Sequence, residues 1–165
     1  MMKVMVTGHR PERITGREQE IKDWLTKQVE ELKPSDCISG MARGADQIFA
    51  EVAYEKNIPL ICAWPYKRKL HPVEQKYHDY AEVNYIAFQK YQPSCYTTRD
   101  KWMVDNCDIV LAVWDGNPVG GTFDTIEYAK SKYKKIFFFP WNEEFPIAHI
   151  PMDPPKVTPD GLTLF

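Results

Sequence analysis

Apolar positions in this chain fall into two alternating rhythms. Short β-branched or aromatic runs closed by turn residues alternate with longer stretches whose apolar side chains recur every three to four positions, as strands and crossover helices of one sheet do. The strand-like runs are Lys3 to Gly8, Asp36 to Ser39, Pro59 to Trp64, Asp108 to Gly116 and KIFFFP at 135–140. After the first, Thr15 and Glu18 predict a capping box, and Ile21, Trp24, Leu25, Val29 and Leu32 set out a helical face that Pro34 ends. A second helix opens near Gly44, turns Ala45, Ile48, Phe49, Val52 and Ala53 to one side, and stops at Asn57 before Pro59. Between 65 and about 107 the rhythm breaks. Pro72 suits the first turn of a helix buried through Val73, Tyr77, Tyr80, Ala81, Tyr85 and Phe88, and a further helix follows over Thr97 to Asn106. A last helix is expected from about Thr122 to Tyr133.

The pattern predicts an α/β protein: a single Rossmann-like domain over 1–140, with helices on both faces of a mainly parallel sheet. The sheet is expected to hold about five strands in the order 3-2-1-4-5, because the helical insertion at about 65–107 gives the chain room to return across it. Six of the thirteen prolines lie in 140–165, so 141–165 is expected as a Pro-rich C-terminal tail, laid on the surface or partly disordered.

Charge and cysteine usage narrow the class. The 165 residues carry 21 Lys+Arg and 23 Asp+Glu, a net charge of −2. That excludes the basic character of a general nucleic-acid coat, though not a local basic site. Cys37, Cys62, Cys95 and Cys107 form no CxxC pair and have no histidine at zinc spacing, which points to free thiols in a reducing, cytoplasmic setting. No apolar run approaches the ~20 residues of a membrane span, and the opening MMKVMVTGHR has no apolar signal core. No membrane association is expected.

In a sheet of this order the ligand site lies outside the carboxyl ends of the strands, at the switch between the first and fourth. The loop after strand one offers Gly8 for a tight turn, with His9 and Arg10 as donors to a polyanion. The loop after strand two reads Ser39-Gly40-Met41-Ala42-Arg43-Gly44-Ala45-Asp46. Its glycines lead into a helix start whose free amides favour a phosphate, and Arg43 adds charge. Asp46 either complements the helix dipole or meets the ligand. Loop four reads Trp114-Asp115-Gly116-Asn117-Pro118-Val119-Gly120-Gly121-Thr122, and Gly120, Gly121 and Thr122 deliver a second such start. The spacing is neither GxGxxG nor Walker A, so neither dehydrogenase nor P-loop chemistry follows. Trp64 ends a strand at this edge and could stack a base, next to the basic run Lys67-Arg68-Lys69. Arg99 and Asp100 open a helix aimed at the same edge and either pair with each other or meet ligand. His71, Glu74 and His78 lack the HExxH spacing, and no metal site is assigned. Tyr85, Tyr91 and Tyr96 offer either core packing or a surface for a homo-oligomer.

Together, Thr7-Gly8-His9-Arg10, the Ser-Gly-x-Ala-Arg-Gly-Ala-Asp segment, Arg99 to Asp105 and the Gly-Gly-Thr turn resemble the SLOG superfamily, which includes DprA and the LOG phosphoribohydrolases. Within it the small YpsA-like and prophage YoqJ-like members are the most similar, over about residues 3–140. The resemblance implies a nucleotide-binding Rossmannoid pocket, with ADP-ribose-like ligands and a role in sensing or signalling. It names no cofactor. Its phosphoribohydrolase members carry PGGxGTxxE at the last turn. Aligning Thr125 with that threonine puts Tyr128 at the glutamate, with Glu127 one residue early. Two further readings stand beside the binder. The first is hydrolysis of the N-glycosidic bond of nucleoside 5′-monophosphates, with Glu127 or Asp46 activating water and Arg43 holding the phosphate. The second is DprA-like binding of single-stranded DNA, against which the net charge counts; nucleic acid is not expected as a partner.

Overall fold

The computed structural model describes residues 1–152, 156–157 and 163–164. Its sheet has seven strands in the order β4-β3-β2-β1-β5-β6-β7: β1 (Lys3–Gly8), β2 (Asp36–Ser39), β3 (Leu60–Tyr66), β4 (Val83–Phe88), β5 (Ile109–Val113), β6 (Lys135–Phe138) and β7 (Ala148–His149). All neighbours are parallel except β6 and β7. A separate antiparallel pair joins β8 (Lys156–Val157) to β9 (Thr163–Leu164). The helices are α1 (Pro11–Ile14), α2 (Glu18–Leu32), α3 (Ala45–Glu55), α4 (Pro72–Tyr80), α5 (Cys95–Asp105) and α6 (Gly121–Ser131).

Period-two alternation along each strand divides the core between two helical layers. Val4, Val6, Leu60, Cys62 and Leu111 face Ile21, Leu25 and Val29 of α2, Phe49 of α3 and Tyr77 of α4. Met5, Ile38, Ile61 and Val110 face Met103 and Val104 of α5 and Ile126 and Ala129 of α6. Both faces of the sheet are thus covered, as a parallel sheet requires. The close fit of the layers depends on Gly8, where an added Cβ would stand 2.5 Å from Ala45 Cβ and 2.9 Å from Val113 Cβ. Gly8 is needed for this approach of α3 to the sheet, whereas the sequence had suggested a turn.

The expectation of five strands in the order 3-2-1-4-5 is corrected at both edges. Tyr85 and Phe88 lie on a strand, not on the first inserted helix. Tyr77, Ala81 and Tyr85 are spaced like a helical face, but α4 stops at Tyr80 and Ala81 turns extended, with ψ 138°. Beyond it Val83, Tyr85 and their neighbours pair with β3, from Ile61 opposite Val83 to Tyr66 opposite Phe88. Tyr85 stacks on Trp102 of α5, ring centroids 4.0 Å apart and nearly parallel. At the other edge β7 comes from the Pro-rich segment and pairs with β6, while Phe145 packs on Trp114 and Phe138. The predicted capping box is also replaced. Gly16, at φ 83°, separates α1 from α2, the Thr15 hydroxyl donates to the Pro11 carbonyl at 3.0 Å, and Arg17 becomes the cap of α2. Among the described residues no helix is long and apolar enough to cross a membrane.

Candidate functional site

The carboxyl ends of β1, β2, β3 and β5 deliver their loops to one rim, with the start of α5 across from them. The loop after β1 buries its histidine. His9 Nε2 accepts the Asp115 N–H at 3.0 Å, and its ring meets Trp141 edge-on at 5.9 Å. Burial pulls its pKa below the ordinary value, so Nε2 is an acceptor committed to Asp115 and the ring is not the charged donor to a polyanion expected from sequence. Asp115 in turn holds Arg13 and the Asn117 N–H. Burial works against its charge, yet the Asn117 amide, His9 and Arg13 together keep its pKa below the usual range. Arg10 is exposed and has no side-chain partner among the described residues.

The loop after β2 is closed on itself. Ser39 Oγ donates to the Asp46 carbonyl at 2.7 Å and accepts the Met41 N–H at 3.2 Å. Asp46 Oδ2 accepts the Ala42 N–H at 3.2 Å, and the Ala45 N–H donates to the His9 carbonyl at 3.2 Å. Gly44, at φ 101°, allows this last contact, since a Cβ there would lie 2.4 Å from His9 O. Three amides of the turn are therefore occupied from within, which corrects the picture of an open phosphate cradle there. Asp46 sits at the first turn of α3, where burial pushes its pKa up to about 7 against the pull of nearby Arg99.

The loop after β5 is open. Gly116 and Gly120 take φ of 90° and 104°, and α6 starts at Gly121. Among the described residues the amides of Gly121 and Thr122 have no acceptor, so the positive end of the α6 dipole faces solvent.

Arg99 ties the rim together from α5. Its Nη1 donates to the Gly40 carbonyl at 2.5 Å and weakly to Ala63 at 3.4 Å, and its Nε donates to Asp100 Oδ1 at 2.7 Å. Burial raises the Asp100 pKa in spite of that guanidinium. Two cavities meet here. The larger, about 560 Å³, is lined by Gly40, Met41, Arg43, Gln47 and Trp64 on one side and by Tyr66, Arg68 and His71 on another. The smaller, about 320 Å³, lies over Thr7, Gly8 and His9 and reaches Asp46, Asp100, Gly121 and Thr122. Arg10, Ala42, Tyr96 and Arg99 line both.

Of the residues expected from sequence, Ser39, Gly44, Ala45, Asp115, Gly116 and Gly120 line neither cavity and act by shaping the loops. Glu127 also lines neither; it is exposed on α6 and pairs with Lys130 at 3.6 Å. Trp64 lies in the larger cavity's wall but is only 3% exposed, with its indole N–H donated to Asn84 Oδ1 at 3.0 Å. It is a core residue at the cavity floor, not a free stacking platform. The aromatic that stands at both cavities is Tyr96, 39% exposed. It precedes Arg99 by one turn at the start of α5, and that spacing was the available signal for it. Within the basic run Arg68 is likewise engaged: it grips Glu74 through both carboxylate oxygens, at 3.0 and 2.5 Å, while the same carboxylate accepts the His71 N–H.

A mostly parallel sheet covered by helices on both faces is a Rossmann-like fold, shared with several solved structures. DprA from Streptococcus pneumoniae is 18% identical with a TM-score of 0.66, over 84% of this chain but 50% of its own length. DprA from Helicobacter pylori, whose structure describes single-stranded DNA binding, is 19% identical with a TM-score of 0.66, over 87% of this chain and 67% of its own. The molybdenum cofactor carrier protein of Chlamydomonas reinhardtii is 14% identical with a TM-score of 0.59, over 83% and 75% respectively. No family model matches the sequence, and no curated protein matches it significantly.

Proposed function

We propose that the protein binds a nucleotide or nucleotide-derived ligand of ADP-ribose character in the paired cavities, as a sensing or signalling module. The observation that carries this reading is Arg10, a cation with no side-chain partner among the described residues that lines both cavities, the smaller one together with the open α6 start. A pyrophosphate beside Arg10 has room for a nucleoside in the larger cavity, where Tyr96 and Tyr66 offer aromatic surface, and for a second group in the smaller one. Arg43 supplies a further charge at the larger cavity. The neighbours of this fold bind DNA in one case and carry a molybdenum cofactor in another, and they give no support to the expectation against nucleic acid.

Calorimetric titration of the whole protein with ADP-ribose, AMP and a single-stranded oligothymidylate tests the reading. ADP-ribose is expected to bind, and Arg10→Ala and Arg43→Ala each to weaken it by about 1.5–3 kcal/mol, the range for a hydrogen bond to a charged group. Binding of the oligonucleotide alone, or of nothing, overturns it.

A second reading has its own observation. Asp46 and Asp100 both line the smaller cavity, burial raises the pKa of each, and that of Asp46 reaches about 7, as a general acid or base near neutrality requires. With Glu127 away from both cavities, N-glycosidic hydrolysis would rest on Asp46. Release of free base from nucleoside 5′-monophosphates, read by chromatography, supports it; no release from any of them eliminates it.

A further inference from the structure

The smaller cavity gathers donors, yet Glu12, Asp46 and Asp100 line it too, and recognition of phosphate alone does not call for carboxylates. Arg10 and the amides of Gly121 and Thr122 favour an anion, Arg13 being paired with Asp115, and Asp100 stands among them. One of its oxygens is committed: Oδ1 accepts Arg99 Nε at 2.7 Å. Its Oδ2 lies 3.4 Å from the Thr125 hydroxyl, but that hydroxyl has a single proton and sits 2.8 Å from the Gly121 carbonyl. The shorter contact claims the proton, so Oδ2 retains acceptor capacity. Alongside, Arg99 is only 6% exposed and commits Nη1 to backbone carbonyls, while Nη2 has no acceptor among the described residues. No polar side-chain atom fully sealed from solvent among those residues lacks a partner, so Nη2 reaches solvent, and Arg99 lines both cavities.

An open guanidinium nitrogen next to an open carboxylate oxygen forms a donor–acceptor pair. A phosphate oxygen accepts from the first and is repelled by the second. A sugar hydroxyl accepts from the first and donates to the second, so both are matched.

We propose that Asp100 is a specificity residue: it admits a hydroxylated sugar next to the ligand's phosphates and turns away a further phosphate, so the site takes nucleoside diphosphate sugars in preference to nucleoside triphosphates. The proposal rests on the nucleotide-binding reading above and names its ligand class. The pyrophosphate lies toward Arg10 and the α6 start, the terminal sugar against Asp100 and Arg99, and the nucleoside in the larger cavity.

The test is calorimetric titration of the full chain with ADP-ribose, ADP-glucose, ADP and ATP at neutral pH, repeated on Asp100→Asn. The wild type is expected to bind ADP-ribose roughly tenfold tighter than ATP or ADP, and Asp100→Asn to shrink that gap to about twofold, chiefly by weakening ADP-ribose and strengthening ATP. ATP binding the wild type as tightly as ADP-ribose overturns the proposal, as does a tenfold gap that survives in Asp100→Asn. Where Asp100→Asn does not fold, the wild type decides alone: adding either sugar to ADP must tighten binding, and no tightening overturns the proposal. Tight ATP binding removes this proposal and leaves the nucleotide site standing, whereas absence of all four interactions removes both.

Discussion

Two turns of this protein look alike in sequence and do opposite things. Gly40 to Asp46 and Gly116 to Thr122 each follow a buried strand, carry glycines at positive φ and open a helix. In the first, the amides of Met41, Ala42 and Ala45 are taken by Ser39, Asp46 and His9, and the turn is pressed against the β1 loop. In the second, Gly121 and Thr122 keep their amides free and line a cavity. A glycine-flanked helix start is therefore an anion site only when no neighbour has already claimed its donors. Here the claimants are the serine that ends β2, an aspartate of the turn itself and a carbonyl in the loop after the neighbouring β1.

The contrast breaks most sharply at the glycines. Gly44→Ala places a methyl group 2.4 Å from the His9 carbonyl at φ 101°, and a loss on the order of 3 kcal/mol or more in urea denaturation is expected. Gly121→Ala meets nothing within 4 Å and sits in an ordinary helical turn, so its stability change is expected to stay within about 1 kcal/mol and to be favourable. Equal losses at both positions would erase the distinction between a packed and an open turn.

Arginine substitutions come next in size. Arg10→Ala, which touches both cavities, is expected to cost more ligand affinity than Arg43→Ala, which touches one. The reverse order would move the anion toward the β2 turn.

A smaller effect is expected in the pH dependence of stability. Asp46 has a pKa raised from 3.8 to about 7, so the folded protein binds a proton that the unfolded chain releases across that interval. Its contribution is fully present below 3.8 and is lost as the pH rises through about 7. Asp46→Asn, which keeps an acceptor for the Ala42 N–H, is expected to flatten that part of a plot of Tm against pH. Arg99, Asp100 and Arg10, the charged groups around it, are unchanged in the variant. Last, Glu127→Gln is expected to change neither affinity nor any base release, as befits an exposed side chain paired with Lys130; a measurable effect would reopen α6 as a source of chemistry.

The parallel framework was legible because each of its central strands is a short apolar run between turn residues, and Val4 to Val6 or Ile109 to Val113 admit little else. The edges were not. Tyr77, Ala81 and Tyr85 have helical spacing by coincidence, and only the extended backbone at Ala81 separates α4 from β4. The β7 strand is two residues long and depends on pairing with β6, which no local pattern announces. At the rim, sequence located Arg10, Arg43, Arg99 and the α6 start by their place after strands or at helix starts. It could not tell an available group from an occupied one. His9 and Trp64 are the right residue types in the right loops, but Asp115 and Asn84 have engaged them. Asp100 was legible on a helix aimed at this edge, whereas Tyr96 reaches the cleft because α5 begins at Cys95, ahead of the expected Thr97, and packs its first turn there.

Arg99 joins the residue after β2 to the middle of β3 through the buried carbonyls of Gly40 and Ala63, and it also lines the cleft. Evolutionary drift at this position strikes architecture and recognition in one step, so a lysine there loses the fork that reaches two carbonyls even though it keeps the charge. Arg43, with no side-chain partner among the described residues, is free to vary with the ligand. Divergent copies of this chain should therefore change their appetite for small molecules at residue 43 long before they change residue 99.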